Sequence, residues 1–181
     1  MVCPGRHREK RPFEAIRKKR TAKKMKRAPF VLIILLLAIP RLWAGEIKPV
    51  QPGPKDKCPV CGMFVAKYPD FLAAIRYRDG SRFFFDGAKD MFKYYFDIEK
   101  YHPARKQSDI EAVYVTDYYN LSPTNAYEAT YIVGSDIYGP MGRELIPFEK
   151  AGDAEAFMKD HRGKSLLKFK DVTLPLVKSL D

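Results

Sequence analysis

The chain has 181 residues, 46% hydrophobic and 30% charged, with a formal net charge of +11. That length supplies one ordinary domain or two very small ones and leaves no room for a large multidomain enzyme. The positive charge is localised: residues 1–44 hold 13 Lys/Arg and 2 Asp/Glu, while residues 45–181 hold 20 of each sign. A body neutral overall carries no electrostatic footprint for a phosphate backbone, so nucleic-acid binding is set aside.

Residues 1–44 have the order of a secretory signal peptide: Lys/Arg-rich sequence to Arg27, an apolar run from Phe30 to Ile39, a break at Pro40, then Leu42-Trp43-Ala44 before Gly45. The apolar run is too short to span a bilayer. Met25-Lys26-Arg27 is a well-formed signal start in its own right, which leaves residues 1–24 open to being an over-extended translation start. No cysteine stands at the cleavage point for lipid attachment, so the exported chain is expected to be soluble. Residues 45–57, with Pro49, Pro52, Gly53 and Pro54, read as an extended linker.

The body is expected to be α+β, built from two small related β-β-α-β units packed side by side, the first over 58–120 and the second over 121–181. Strands are expected at Phe64–Tyr68, Phe71–Arg78 and Ser81–Phe85, the last two joined by a tight Asp79-Gly80 hairpin. Asp86 stands as an N-cap for a helix with Ala88, Met91, Phe92 and Tyr95 on one face, running to about Ile98, and Ile110–Thr116 closes the unit as a strand. The second unit repeats the order. It has a strand at Tyr127–Val133, a glycine-studded loop at Gly134–Gly142, and a strand at Glu144–Phe148 with Pro147 marking an edge. A short helix capped by Asp153 carries Ala154, Phe157 and Met158, Gly163 stops it, and a last strand spans Leu166–Val172.

The chemistry concentrates in Cys58-Pro59-Val60-Cys61-Gly62-Met63. Thiolate and thioether sulfur select Cu(I) over hard cations, and Cys61 and Met63 are close enough to turn toward one ion. A second thioether lies in Gly139-Pro140-Met141-Gly142, where a core residue would not be expected; Met91 and Met158, on apolar helix faces, are core fillers. Other readings of the pair remain open. A thiol-disulfide oxidoreductase would place Cys58 and Cys61 between a buried strand and a helix N-terminus, a context the flanking sequence does not suggest. A structural zinc site would have to recruit His102 and His161, far apart in the chain, and each reads first as a solvent-facing residue near a helix end. A Cys58–Cys61 disulfide would close a very small loop. A fourth reading is an interaction module whose aromatic runs, Phe83-Phe84-Phe85, Tyr94-Tyr95-Phe96 and Tyr118-Tyr119, bind a partner, although packing between sheets and helices accounts for them more simply.

Cys58-Pro-Val-Cys61-Gly62-Met63-Phe64-Val65, followed in order by Tyr131-Ile-Val-Gly134 and Gly139-Pro140-Met141-Gly142-Arg-Glu-Leu-Ile-Pro147-Phe148, resembles the NosL family, the accessory proteins of nitrous oxide reductase. The resemblance covers residues 56–173. It implies a periplasmic Cu(I)-binding chaperone, not an enzyme, that delivers copper for assembly of the reductase's copper-sulfide centre, with a fold of two β-β-α-β units. It implies a copper-accepting cuproenzyme and its membrane-associated maturation machinery as partners. The family's Cys-Gly-Met and Gly-Pro-Met-Gly motifs fall on Cys61–Met63 and Gly139–Gly142, which makes Cys61, Met63 and Met141 the implied ligands and Cys58 an accessory one. Many members are lipoproteins, whereas this chain has Leu42-Trp43-Ala44-Gly45 where the acylated cysteine would stand.

Overall fold

A computed structural model describes residues 51–181; the expected signal peptide and the first part of the linker lie outside the described residues. Among the described residues seven strands form two antiparallel sheets, accompanied by four helices. In the first sheet β1 (Ala73–Tyr77), β2 (Arg82–Phe85), β3 (Ile110–Thr116) and β4 (Pro123–Asn125) lie in the order β2-β1-β3-β4. In the second, β5 (Thr130–Gly139), β6 (Gly142–Phe148) and β7 (Ser165–Lys168) lie in the order β6-β5-β7. Helices α1 (Ala88–Phe96) and α2 (Ile98–Tyr101) connect β2 to β3, α3 (Ala151–Asp160) connects β6 to β7, and α4 (Leu174–Lys178) follows. β1, β2, α1 and β3 in the first sheet, and β5, β6, α3 and β7 in the second, each run strand, strand, helix, strand with the first strand between the other two, the expected β-β-α-β plan in duplicate. Strand β4, from the range expected for the second unit, adds an edge strand to the first sheet.

Local chemistry explains most of these elements, with several corrections. Asp79-Gly80 does make a hairpin, but with a three-residue loop in which only Gly80 is left-handed (φ 83°) and Asp79 Oδ1 accepts from Ser81 N (2.9 Å) and Oγ (2.6 Å). The expected strand at Phe64–Tyr68 is a single bridge, Lys57 to Phe64, followed by 3-10 turns at Val65–Lys67 and Pro69–Phe71. Pro69 has no N–H for a sheet ladder, so the extended chain starts at Ala73. The expected loop at Gly134–Gly142 is the arm of the β5–β6 hairpin, bulged between Val133 and Tyr138. Gly134 (φ 79°) kinks that arm, and Pro140 and Gly142 (φ 88°) turn its tip, leaving Met141 exposed there.

Tyr127 belongs to a turn held by Asn125 Oδ1 (3.1 Å), so β5 starts three residues later than expected. The last strand stops at Lys168 because Phe169 turns into the core through a 3-10 turn. Helix α3 begins at Ala151, which puts Asp153 inside its first turn and not at its cap. Pro147 sits in edge strand β6, and Gly163 follows α3 where a Cβ would come within 2.5 Å of Ile132 Cγ2.

The halves share a core. Ile75, Val113 and Val115 of the first sheet, Tyr131, Val133 and Leu145 of the second, and Met91 and Phe92 of α1 form one buried cluster. Phe92 meets the edge of Tyr131 at 5.2 Å and lies 4.9 Å from Phe169. The opposite face of the second sheet, Ile132, Ile146 and Phe148, packs with Ala154 and Phe157 of α3. The aromatic runs are mostly internal: Phe85 and Tyr94 are fully buried and Tyr118 packs against the α3 cluster, while Tyr119 is exposed. Among the described residues no helix is long and apolar enough to cross a membrane.

Candidate metal centre

Cys58 and Cys61 sit in a tight loop closed at its base. Cys58 N donates to Met63 O (2.9 Å), Gly62 N to Cys58 O (2.8 Å), and Lys57 bridges Phe64. Gly62 adopts φ 80°, a conformation costly for any side chain, which lets the loop double back after Cys61. The folding-back aims main-chain amides at the sulfurs, Val60 and Cys61 N–H toward Cys58 and Met63 N–H toward Cys61. Cys58 is buried, Cys61 half-buried, and both are free thiols.

The loop is seated on the start of α1. Cys61 Sγ donates to Asp86 Oδ1 (3.2 Å) and Cys58 Sγ to Asp90 Oδ2 (3.5 Å). Ligand atoms from Cys58, Cys61, Asp86 and Asp90 all lie within 4.8 Å of one another. The sequence offered Asp86 as a helix cap, but Gly87 occupies the cap position and the Asp86 side chain is turned to Cys61. Its Oδ2 is buried without a hydrogen-bond partner among the described residues. A buried acceptor with nothing to accept from is costly unless a cation or proton fills the space.

Burial and carboxylates work together on the thiols. Burial pushes Cys61 up to about 12; the Met63 amide opposes this and the Asp86 and Asp90 carboxylates add to it. Burial also raises Cys58, opposed by the Cys61 amide and reinforced by Asp90. Both thiols hold their protons at neutral pH until a cation displaces them. This is the reverse of a thiol-disulfide oxidoreductase, whose attacking cysteine is stabilised as thiolate, so the geometry lends that reading no support.

Of the remaining sequence candidates, the two methionines are tied to this region through their main chains and the two histidines are engaged elsewhere. Met63 is tied to the loop through its main chain and is half-buried. Met141 is 52 residues from Lys89, yet its carbonyl accepts from the buried Lys89 Nζ at 2.8 Å, which tethers the hairpin tip to the end of α1 bearing the two aspartates. Lys93 pairs with Asp90 Oδ1 (3.4 Å). Glu144 of β6 reaches the same helix end, its Oε1 accepting from Lys89 N (2.5 Å) and Leu145 N (2.9 Å) while Oε2 lies against Gly87 and Gly139, where no Cβ would fit without displacing it. Neither histidine joins the four-residue group: His102 packs on Phe83 (5.0 Å) and His161 pairs with Asp136 (3.0 Å).

Asp86 and Asp90 are what the sequence reading missed. Their signal was two acidic residues four positions apart, flanked closely by the apolar runs Phe83-Phe84-Phe85 and Met91-Phe92.

Comparison with known proteins gives a consistent result. The NosL family model matches residues 49–177. A crystal structure of the copper chaperone NosL from Shewanella denitrificans is 26% identical over 70% of this chain and 99% of its own, with a TM-score of 0.57. A solution structure of the apo-NosL protein from Achromobacter cycloclastes is also 26% identical, over 58% of this chain and 87% of its own, with a TM-score of 0.41. No curated protein sequence matches.

Proposed function

Since the chain belongs to the NosL family, we propose that it is an exported carrier of Cu(I), not a catalyst, that hands copper to an acceptor during maturation of nitrous oxide reductase. The observation that carries this reading is the packing of two protonated thiols against two buried aspartates. A soft monovalent cation takes the sulfurs in place of their protons, which leave to solvent, and the two carboxylates beside the sulfurs favour the positive ion. The copper chaperone from Shewanella denitrificans, similar over nearly its whole length, supports the choice of copper.

Cys61 is the principal ligand: it is less buried than Cys58, and its sulfur contacts the buried Asp86 carboxylate. Cys58 is the second sulfur. Met63, on the thiol loop, and Met141, on the hairpin whose tip Lys89 holds through the Met141 carbonyl, are the neutral thioethers of this reading, and weak ligands of that kind suit a site that must release its cargo. An incoming acceptor replaces thioethers first and the thiolate last. The order of basic and apolar segments in residues 1–44 supports export to the periplasm. In cells lacking the gene, nitrous oxide reductase should be made but copper-deficient, with activity restored by the wild-type chain and not by Cys61→Ser. Full reductase activity in the deletion strain at limiting copper would reject the assignment.

A further inference from the structure

The base of the thiol loop carries a feature that metal binding does not use. Phe64 is 39% exposed beside Met63. Two ammonium groups approach its ring, Lys57 Nζ at 4.9 Å and Lys67 Nζ at 5.7 Å from the centroid. Lys55 is exposed two residues before Lys57, and none of these three lysines is ion-paired with a described residue. The one acid among them, Asp56, accepts from Gly53 N (2.8 Å) within its own turn. Residues 45–181 carry no net charge, so the field at the base of the loop is set by local asymmetry, and the exposed side chains there, Lys55, Lys57 and Lys67, are positive.

We propose that Lys55, Lys57, Phe64 and Lys67 form the docking surface for an acidic protein partner that exchanges copper with Cys61, a proposal that rests on the carrier reading above. The lysines steer the acidic face toward the loop, and Phe64, its ring braced by the two ammonium groups, gives the encounter complex an apolar anchor beside the sulfurs. An anionic membrane would meet the same charges, but it carries no soft donor to take the ion from Cys61. The partner is therefore assigned as a protein.

The test uses the purified, Cu(I)-loaded protein and two fluorescent acceptor peptides with one Met-Xaa-Xaa-Met core, flanked by aspartates or by lysines. Wild type should transfer copper to the aspartate-flanked peptide about tenfold faster at low salt, and the difference should collapse by about 0.5 M salt. Lys57→Glu/Lys67→Glu should invert the preference, and Phe64→Ser should slow transfer to both peptides. Both variants should retain copper against bathocuproine disulfonate within about twofold of wild type. Equal transfer to the two peptides by wild type, an uninverted preference in the double variant, or lysine-dependent binding of the protein to phosphatidylglycerol vesicles would overturn the proposal. Failure of wild type to hold copper against the chelator would instead sink the carrier reading itself.

Discussion

Glu144 makes a prediction whose size follows from its surroundings. The carboxyl is buried between Gly87, Gly139 and the first turn of α1, and burial raises it from an ordinary 4.5 to about 8, against the opposing pull of the Leu145 and Lys89 amides and the Lys89 ammonium. A carboxyl raised on folding means that the folded state binds more protons than the unfolded chain between those two values. Its contribution to stability is then complete below about pH 4.5 and is lost as pH rises toward 8. At about 1.36 kcal/mol for each pH unit separating the two values, the whole effect is on the order of 4–5 kcal/mol, a large share of the stability of a small domain. Glu144→Gln keeps an oxygen to accept from Lys89 N and Leu145 N but cannot ionise. Urea unfolding at pH 5, 6, 7 and 8 should show the variant comparable to wild type at pH 5 and more stable by a few kcal/mol at pH 8. Other perturbed groups act outside this window. Asp79 is held below the usual carboxylate range by Ser81 and Arg105, the partial burial of Asp181 is outweighed by Lys93 and Lys89, and the thiols and tyrosines are raised from ordinary values of 9 and above. Parallel stability profiles for the two proteins from pH 5 to pH 8 would refute the argument.

Cys61→Ser should lower Cu(I) affinity by orders of magnitude in chelator competition, whereas Met141→Leu should weaken it more modestly; equal retention by both would defeat the division into thiolate and thioether roles. Asp86→Asn removes a buried carboxylate beside the Cys61 sulfur, so the rise in melting temperature on copper addition should shrink; an unchanged rise would contradict this. With Cys61 protonated up to about pH 12, copper binding must release its proton, so affinity should rise by about one log unit per pH unit between pH 6 and 8, and by up to about two if both thiols ionise. A flat profile would mean that the thiols are not the ligands.

What the sequence disclosed, and what it withheld, divides along one physical line. The Asp79-Gly80 hairpin, the apolar face of α1 and the edge position of Pro147 depend on residues a few positions apart, and the β-β-α-β order follows from them. Phe64–Tyr68 misleads because a short apolar run has too little periodicity to separate a strand from a 3-10 turn, and Pro69 removes the donor a strand would need. The site is a different matter. Cys61 meets Asp86 across 25 positions, Cys58 meets Asp90 across 32, and Glu144 reaches Lys89 across 55. No local pattern encodes those meetings. The thiols could be found because Cys-x-x-Cys is dense and rare, while Asp86 resembled the many aspartates that only cap helices.

The most direct test is X-ray absorption at the copper edge of the purified protein loaded anaerobically with one equivalent of Cu(I). A copper carrier with thiolate ligands should show a monovalent edge and a first shell dominated by sulfur, losing a scatterer in Cys61→Ser. A shell of nitrogen and oxygen alone, or a spectrum unchanged by that substitution, would contradict it.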